Sequence, residues 1–490
     1  MKKTYTKKQL VNLFIGLFFM FVAGWFCPTW GGITRQGVQA IIMFLGCIWL
    51  VGNGFGLTIP CLLLMFAMLL TGYMTGDELV ASTLGTANVW QLIMVFVLLY
   101  ALSKSEADQV LARWLISRKS LNGRPVLFSC VFMLAVTLMA ALASALGSFL
   151  FCIALVDSIG KTVGYENDSQ WKRAMVTGVV IMSSLGGGIL PFKGLALLIY
   201  NLMASGVMEA GLHIDPISYM ISAGLSGILV SIAYGLSLKP LFRVDFSKLQ
   251  NADIAKICSQ GSTRFNKRQV AAFGFFILGI LYSVVQVWIP ETMPGYEVFT
   301  SIGQGFWFGF MVCLMGFIHI DGAPLLDGEK AFKESVNWSV VLSVCAFTAM
   351  GGMIADENLG IRGWMSGVIE VVCKDMPFPL FVFALVTVTL VLTNFFSNTA
   401  LAVIVGAMMG PFIIDYGIIL GINTSCVIPA IVMSALCAYL TMAGGGSAPL
   451  YLSLDCIREK PRWVWTYGLL AVPVVTVVSS AAYIFCAYVL

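Results

Sequence analysis

The chain has 490 residues, of which 59% are hydrophobic and only 11% are charged, whereas roughly a quarter of the residues in an average soluble protein are charged. A water-soluble fold this poor in charge could not cover its own surface, so the composition excludes a soluble enzyme, a nucleic-acid-binding protein and a secreted disulfide scaffold. Apolar runs of about 18–25 residues recur along the chain and are long enough to cross a bilayer. We therefore predict an all-α polytopic membrane protein surrounded by lipid, with no nucleic acid as partner.

Eleven apolar segments are predicted to cross the membrane as helices. They lie at 10–27, 36–53, 58–73, 88–102, 174–200, 216–238, 269–289, 301–319, 338–354, 425–452 and 464–489. Two further apolar regions, 125–157 and 377–414, are too long for one crossing and carry small or polar residues near their middle. A backbone break at membrane depth is tolerated only where protein or a water-filled cavity covers it. We therefore predict two re-entrant hairpins, each of which enters and leaves by the same face.

The basic residues give this topology its orientation. With the N-terminus in the cytosol, nearly all of the 28 lysines and arginines lie on the cytosolic side, and Arg35, Arg362 and Lys374 lie outside. This asymmetry is the usual one for membrane proteins. We predict an integral protein of a bacterial cytoplasmic membrane, with a cytosolic N-terminus and an external C-terminus. Lys193 is the one cation that falls inside a predicted span.

The two halves of the chain repeat the same order of elements. An Asn-Trp pattern opens an apolar helix at 88–90 and again at 336–338, and each helix leads through a segment of mixed polarity into one hairpin. The first of these segments, 103–120, is amphipathic and is predicted to lie along the cytosolic interface. The helix after each hairpin is interrupted by three glycines and a proline, at 186–191 and 444–449.

The predicted topology gives the two copies opposite orientations, so they are inverted repeats. Paired broken helices at matching positions of inverted halves are typical of secondary transporters that bind their substrate at the membrane midplane. A single glycine run could instead serve close helix packing. Two runs in register with two hairpins favour the transporter interpretation.

The remaining chemistry-bearing residues do not indicate catalysis. The thirteen cysteines form no CxxC pair, and the histidines are His213 and His319, far apart in the chain. Most of the cysteines lie in apolar runs, where a thiol acts as a small hydrophobic group. We predict no cofactor, no structural metal and no enzymatic activity, and sodium is the one ion we consider, as a possible coupling ion.

The segment 393–402, Thr-Asn-Phe-Phe-Ser-Asn-Thr-Ala-Leu-Ala, resembles the Ser-Asn-Thr hairpin motif of the divalent-anion/sodium symporter family, within the broader ion-transporter superfamily. The similarity extends over most of the chain from about residue 75, in element order as well as motif. It implies a homodimer, an elevator-type transport domain that moves against a scaffold, and sulfate or di- and tricarboxylates as substrates. It also implies that both hairpin tips meet both helix breaks around the substrate and sodium.

The second hairpin supplies oxygen donors of the kind that hard cations prefer. The same groups could contact a substrate carboxylate, or could form a polar cap that satisfies only backbone groups, as we expect for Asn394. The predicted substrate ligands of this half are Ser397, Asn398, Thr399 and Ser447, and the predicted sodium ligands are Ser397, Asn398, Ala443, Gly444 and Gly445.

The first half departs from the family pattern. Its hairpin has Gly-Ser-Phe at 147–149 in place of Ser-Asn-Thr, and the residues after its glycine run lack the family's Thr-Pro-Pro-Asn. The predicted ligands here are Ser148 for the substrate and the backbone of Gly147, Gly186 and Gly187 for sodium.

Lys193 follows the first glycine run and is the most informative departure. A lysine at membrane depth costs at least roughly 2.5–3.5 kcal/mol and usually faces a cavity or a partner. We consider three interpretations. Lys193 could be the direct counter-ion of an anionic substrate, and so a substrate ligand. It could be a tethered cation that replaces the sodium of the first half, or it could extend to the membrane interface.

We predict that the chain has four parts. Residues 1–120 form N-terminal scaffold helices and an amphipathic connector, and residues 121–242 form the first transport half, with hairpin 125–157 and broken helix 174–200. Residues 243–376 form a cytosolic loop and further scaffold helices, and residues 377–490 form the second transport half, with hairpin 377–414 and broken helix 425–452.

The predicted function is secondary active transport of a small anion by alternating access, coupled to sodium. The alternatives are a sodium-independent exchanger or proton-coupled carrier with Lys193 as tethered cation, and an anion channel.

Overall fold

The computed structural model is built almost entirely of helices, which confirms the predicted fold class. It describes residues 6–209, 211–212, 214–250, 252, 264–288, 292–361, 363–364, 367, 376–396, 398–441, 447–460 and 462–490. The strands in these ranges are β1 (His319–Ile320) and β2 (Ala323–Pro324), which pair antiparallel with His319 opposite Pro324.

The N-terminal half of the chain runs through eleven described helices. Several begin at a threonine or serine whose side chain accepts a hydrogen bond from the backbone N–H three residues on, such as Thr34, Thr86 and Ser169, and this satisfies a donor that every helix start leaves free. The helices are α1 (Lys7–Phe26, with a π-helical turn at Phe19–Ala23), α2 (Arg35–Gly52), α3 (Thr58–Leu70), α4 (Gly76–Ser82), α5 (Ala87–Ser105), α6 (Ala107–Ile116), α7 (Pro125–Leu142), α8 (Ala145–Val163), α9 (Gln170–Gly186), α10 (Gly194–Glu209) and α11 (Pro216–Ser237).

The C-terminal half follows the same order of long helices, hairpin and broken helix. Its described helices are α12 (Ser247–Gln250), α13 (Lys267–Trp288), α14 (Tyr296–Phe317), α15 (Gly328–Ser335), α16 (Trp338–Ala355), α17 (Phe378–Leu392), α18 (Asn398–Leu420), α19 (Ile428–Leu436), α20 (Ala448–Ser453), α21 (Asp455–Arg458) and α22 (Arg462–Val489).

Each predicted span coincides with a helix or, at 174–200 and 425–452, with a broken pair of helices. By length and hydropathy alone, eight of the described helices could cross a membrane, and ten if each of two bent pairs is one span. That set includes long hairpin arms and leaves out shorter apolar helices such as Thr58–Leu70, which is why it differs from the predicted eleven.

Both long apolar regions are helix–break–helix hairpins, as predicted. The first breaks at Ala143 and Ser144, between α7 and α8, and the second between α17 and α18. The predicted ends at 157 and 414 were too early, because the second arms continue to Val163 and Leu420. The prediction followed the apolar run, whereas a helix continues through polar residues as long as its backbone hydrogen bonds do.

The internal repeat is visible in how the helices pack. Helix α3 of the first half packs against α16 of the second half. Their counterparts in the repeat are α14 and α5, and these two helices also pack against each other. In the same way, α2 packs against α16, and the corresponding helices α13 and α5 pack against each other. Within each half, the first hairpin arm packs against the final helix, α7 against α11 and α17 against α22. Matching elements of the two halves therefore occupy matching environments.

The final helices of the two halves, α11 and α22, pack extensively against each other. Polar side chains tie α11 to the second half. Ser222 Oγ donates to the Cys426 carbonyl at 2.7 Å, and Ser226 Oγ to the Tyr483 hydroxyl at 3.2 Å. All four residues are buried, and their hydrogen bonds make it possible for polar groups to lie in an apolar interior.

A cluster of charges joins the start of α9 to the segment before α22. The buried Arg173 donates through Nε to the Cys456 carbonyl at 2.8 Å, and its Nη2 lies 3.7 Å from Asp168 Oδ2. Lys460 donates to the same carboxylate oxygen at 2.8 Å and holds the pKa of Asp168 below its ordinary value. The stabilisation from this pair is therefore present above the ordinary carboxyl pKa and is lost as the pH falls through the lowered one.

Arg173→Met should lower the stability of the whole protein. The substitution keeps the apolar stem but removes the guanidinium that joins the two halves, and a hydrogen bond to a charged group contributes about 1.5–3 kcal/mol. Thermal unfolding in detergent at neutral pH measures the effect. Arg458→Met is the matched control, since Arg458 is exposed and its ion pair among the described residues is with the nearby Asp455; it should change stability by less than about 1 kcal/mol. Equal melting temperatures for the two variants would contradict the stabilising role given to the Arg173 guanidinium.

Candidate functional site

The first hairpin tip lies directly against the first glycine run. A side chain on Gly186 would collide with the Thr137 carbonyl of α7, and a Cβ on Gly187 would lie 3.3 Å from Ala145 Cβ, in the first turn of α8. Glycine is therefore required for the end of α9 to approach both arms. The Gly186 carbonyl accepts a hydrogen bond from Ile189 N–H at 3.2 Å, so it closes the turn that ends α9.

Lys193 lies in the irregular segment between α9 and α10 and reaches the hairpin tip. Its Nζ donates to the Ala140 carbonyl at 2.8 Å and the Ala141 carbonyl at 3.2 Å. These carbonyls belong to the last turn of α7, where no intrahelical partner remains for them and the helix dipole is negative. The ammonium thus occupies a cation position at the end of a half-helix. Of the three interpretations, extension to the membrane interface does not describe this geometry.

The second hairpin tip closes over the second break in a different way. Asn394 is fully buried, and its Oδ1 accepts hydrogen bonds from the N–H groups of Tyr439 and Leu440, at 2.8 and 2.7 Å. Its Nδ2 donates to the Leu390 carbonyl at 2.7 Å. The expectation that Asn394 is a structural cap is confirmed, because its side chain satisfies a carbonyl of its own hairpin and two N–H groups at the second helix break.

Asn398 and its neighbour Thr393 also contact the second break. Thr393 Oγ1 lies within hydrogen-bond distance of the Ala435 carbonyl and of Asn398 Oδ1, the latter at 3.1 Å, and its single proton is donated to one of them at a time. Asn398 Nδ2 donates to the Leu436 carbonyl at 3.4 Å. Both polar atoms of Asn398 are thus engaged within the protein, at the C-terminal end of α19.

The two breaks lie next to each other in the middle of the fold. A Cβ on Gly188 would lie 3.0–3.3 Å from side-chain atoms of Met433, Leu436 and Val432 in α19. The Gly188 carbonyl accepts a hydrogen bond from the Tyr219 hydroxyl at 2.8 Å. The hairpin tips and helix breaks of both halves therefore form one central region.

The other predicted ligands are distributed around this region. Ser148 is buried in the first turn of α8, with no hydrogen-bond partner for its Oγ, whereas Gly147 beside it is exposed. Thr399 is half-buried in the first turn of α18, and Ser447 is buried where α20 begins. The predicted ligands Ser397, Ala443, Gly444 and Gly445 lie outside the described residues.

Asp108 is a buried charge that the sequence interpretation missed. It lies in the first turn of α6 and is 7% exposed, and its Oδ1 has no hydrogen-bond partner among the described residues. Helical spacing could have revealed the burial of Asp108, because Asp108 shares a face with Ala112 and Ile116, both buried, at positions i+4 and i+8. The placement of segment 103–120 along the cytosolic interface stays a prediction, and its helix α6 packs against α7.

The described residues include no group of three or more His, Cys, Asp or Glu side chains that could hold a metal ion tightly. What the site presents is an ammonium, backbone carbonyls and N–H groups at helix ends, and hydroxyl or amide groups. Such groups bind small ions by electrostatic attraction and hydrogen bonds.

Comparisons with known proteins identify the family. Residues 42–410 match the family model of the citrate transporters (CitMHS). An uncharacterized transporter of Methanocaldococcus jannaschii is 27% identical over 149 residues, which are 30% of this chain and 32% of that protein. The match thus spans about a third of the relative's length.

Two solved structures share the fold. The YdaH transporter of Alcanivorax borkumensis is 15% identical with a TM-score of 0.53, over 86% of this chain and 88% of its own. MtrF of Neisseria gonorrhoeae, described as illuminating a class of antimetabolite efflux pumps, is 15% identical with a TM-score of 0.59, over 98% of each chain. Because the family model matches well over half of the sequence, the predicted ion-transporter resemblance is confirmed, and the chain is a membrane transporter that belongs to the citrate transporter family.

Proposed function

We propose that this transporter carries a small carboxylate anion of the citrate class by alternating access, without a sodium ion in its first half. The observation that carries the proposal is the Lys193 ammonium bound to the Ala140 and Ala141 carbonyls. The family supports the substrate class, and the paired hairpins and helix breaks support alternating access around a central site.

Lys193 is suited to two tasks at once. Unwound or terminal carbonyls coordinate the coupling cation in transporters with broken helices, and here the ammonium fills that role as a tethered cation. A lysine ammonium has three N–H donors, of which Ala140 and Ala141 use two. The third donor and the positive charge can be offered to a substrate carboxylate. The tethered-cation and counter-ion interpretations are therefore compatible.

In the second half, Asn398 was predicted as a sodium ligand. Its Oδ1 lies 3.1 Å from Thr393 Oγ1, and its Nδ2 donates to the Leu436 carbonyl, so a sodium ion at Oδ1 would share that oxygen with Thr393. Because Lys193 already supplies a cation at the first hairpin, we favour the sodium-independent alternative over sodium symport, with a proton or a counter-anion as the coupling partner.

Uptake by purified protein in liposomes tests the substrate class and the mechanism. We expect citrate to accumulate above its external concentration when an inward proton gradient or an internal carboxylate is supplied, with no requirement for sodium. Succinate and sulfate complete the panel. Uptake of none of the three anions would contradict the proposed substrate class. Equilibration without accumulation would favour a channel, and a strict sodium requirement would contradict the role given to Lys193.

Substitution of Lys193 separates its two roles. Lys193→Met should lower citrate uptake by about tenfold to a hundredfold, since a lost hydrogen bond to a charged group costs about 1.5–3 kcal/mol. Lys193→Ala should lower it similarly in potassium buffer but partly recover in sodium, because a sodium ion can then reach the freed carbonyls. Lys161→Ala is the matched control, since Lys161 is exposed at the end of α8. Wild-type uptake and ion dependence in both Lys193 variants would exclude both roles.

A further inference from the structure

A groove of about 590 Å³ lies between the first half of α7 and the end of α11, at the opposite end of α7 from the hairpin tip. Its walls are apolar side chains, with Leu127, Val131 and Leu134 from α7 and Ile232 and Leu236 from α11. Leu127, Ile232 and Leu236 are exposed, so in the membrane the groove opens to lipid. Cavities of roughly 300–1,000 Å³ are large enough to hold a small ligand.

The floor of the groove is a close contact between the two helices. A Cβ on Gly235 would lie 2.6 Å from Cys130 Sγ and 2.7 Å from the Cys130 backbone nitrogen, so only glycine allows α11 to approach α7 this closely. The Cys130 thiol lines the groove and donates to the Ile232 carbonyl at 3.6 Å. Because this contact fixes the spacing of the helices, the groove is a built-in feature of their packing.

The length of the groove matches one leaflet of a bilayer. Along α7 its lining runs from Pro125 to Leu134, which is about 14 Å at 1.5 Å per residue. One leaflet contributes about half of a hydrocarbon core that is roughly 30 Å thick. An acyl chain that lies in the groove with its headgroup at the start of α7 therefore ends near the middle of the membrane.

The mouth of the groove carries positive charge. Arg124 directly precedes α7 and Lys239 lies just after α11; both line the groove and both are exposed. Phe246 and Gln250, from the segment after α11, complete the mouth. Among the described residues, Arg124 and Lys239 take part in no ion pair, and no acidic side chain lines the groove. The N-terminal end of α7 adds the partial positive charge of the helix dipole.

An anionic phospholipid has the two chemical parts that this groove requires. Its acyl chain is apolar, as the walls are, and its phosphate is opposite in charge to the mouth. A small soluble anion would leave the apolar walls unoccupied, and an uncharged apolar molecule would leave both cations without a partner. Basic residues at a membrane surface attract anionic lipids, which are enriched in the cytoplasmic leaflet, and the predicted topology places Arg124 and Lys239 on that side.

We propose that this groove binds one anionic phospholipid, with an acyl chain along the apolar walls and the phosphate between Arg124 and Lys239. The site lies at the far end of the first hairpin arm from Lys193 and does not depend on the proposed substrate. Because α7 is an arm of the first hairpin and α11 is the final helix of the same half, a lipid in the groove contacts both and stabilises their packing.

Lipid titration of the purified transporter in detergent tests the chemistry of the occupant. Dioleoyl phosphatidylglycerol should raise the melting temperature in a concentration-dependent manner, since a ligand that binds the folded state stabilises it. Dioleoyl phosphatidylcholine has the same chains without the net charge and should stabilise much less, and glycerol phosphate, the headgroup alone, should not stabilise. Equal stabilisation by phosphatidylcholine would overturn the role of the two cations. Equal stabilisation by glycerol phosphate would indicate a site for a free anion and would overturn the proposal.

Removal of the two cations tests the location of the headgroup. Arg124→Gln combined with Lys239→Gln should weaken phosphatidylglycerol binding, measured by native mass spectrometry, by about tenfold to thirtyfold, because each basic residue contributes about fivefold. Lys8→Gln combined with Lys333→Gln is the matched control, since it removes the same charge from exposed positions on α1 and α15; it should bind within twofold of the wild type. Wild-type affinity in the Arg124/Lys239 variant would overturn the site.

A variant that fills the groove tests the location of the acyl chain. Val131→Trp leaves both cations in place and occupies part of the space between α7 and α11, so it should weaken phosphatidylglycerol binding at least tenfold. Its melting temperature without added lipid shows whether the fold is intact, and the exposed-charge variants remain the test if it is not. A folded Val131→Trp protein with wild-type affinity would overturn the placement of the chain in the groove.

Discussion

The backbone groups exposed at two helix breaks inside an apolar protein are the constraint on which this structure depends. Each break leaves carbonyls or N–H groups without intrahelical partners, and lipid offers none. The hairpin tips supply those partners, so each hairpin and its broken helix stabilise each other. Glycines at the break allow the approach, as Gly186 does against the Thr137 carbonyl.

The two halves satisfy this constraint with different chemistry. In the second half, the neutral side chain of Asn394 receives N–H groups from the break and donates to a carbonyl of its own hairpin. In the first half, the positive side chain of Lys193 comes from the break and binds two carbonyls of the hairpin. The contacts between scaffold helices are equivalent in the two halves, since α3 packs against α16 as α14 packs against α5. The asymmetry is thus concentrated at the hairpin tips, where a transporter distinguishes its ligands.

The sequence was sufficient for those parts of the fold that depend on long-range apolar patterning. The spans, the two hairpins and the first break follow from runs of apolar residues and from glycine and proline within them. The second break begins earlier than the predicted 444–449, because α19 already ends at Leu436. Hairpin ends were less predictable, because α8 and α18 continue as helices through polar residues such as Lys161 and Asp415.

Individual site residues were predictable only in part. The apolar surroundings of Lys193 made it conspicuous in the sequence, but its carbonyl partners lie more than 50 residues earlier and depend on how the hairpin folds back. Asp108 was missed because an acidic residue in an amphipathic segment is usually solvated. Its burial depends on the turn at Glu106 and on the packing of α6 against α7, which no local pattern specifies.

The contact of Lys193 with the first hairpin bears on a general requirement of alternating access, that both the empty and the loaded site must pass through an apolar surrounding. A net charge makes that passage expensive. The Lys193 ammonium is held by the Ala140 and Ala141 carbonyls, so in the proposed mechanism its positive charge stays in the site in both states. In the empty state the dipole at the end of α7 partly offsets that charge, and in the loaded state the charge offsets one carboxylate of the substrate. One tethered ammonium thus serves both states, whereas a sodium ion that enters and leaves with the substrate would serve only the loaded one.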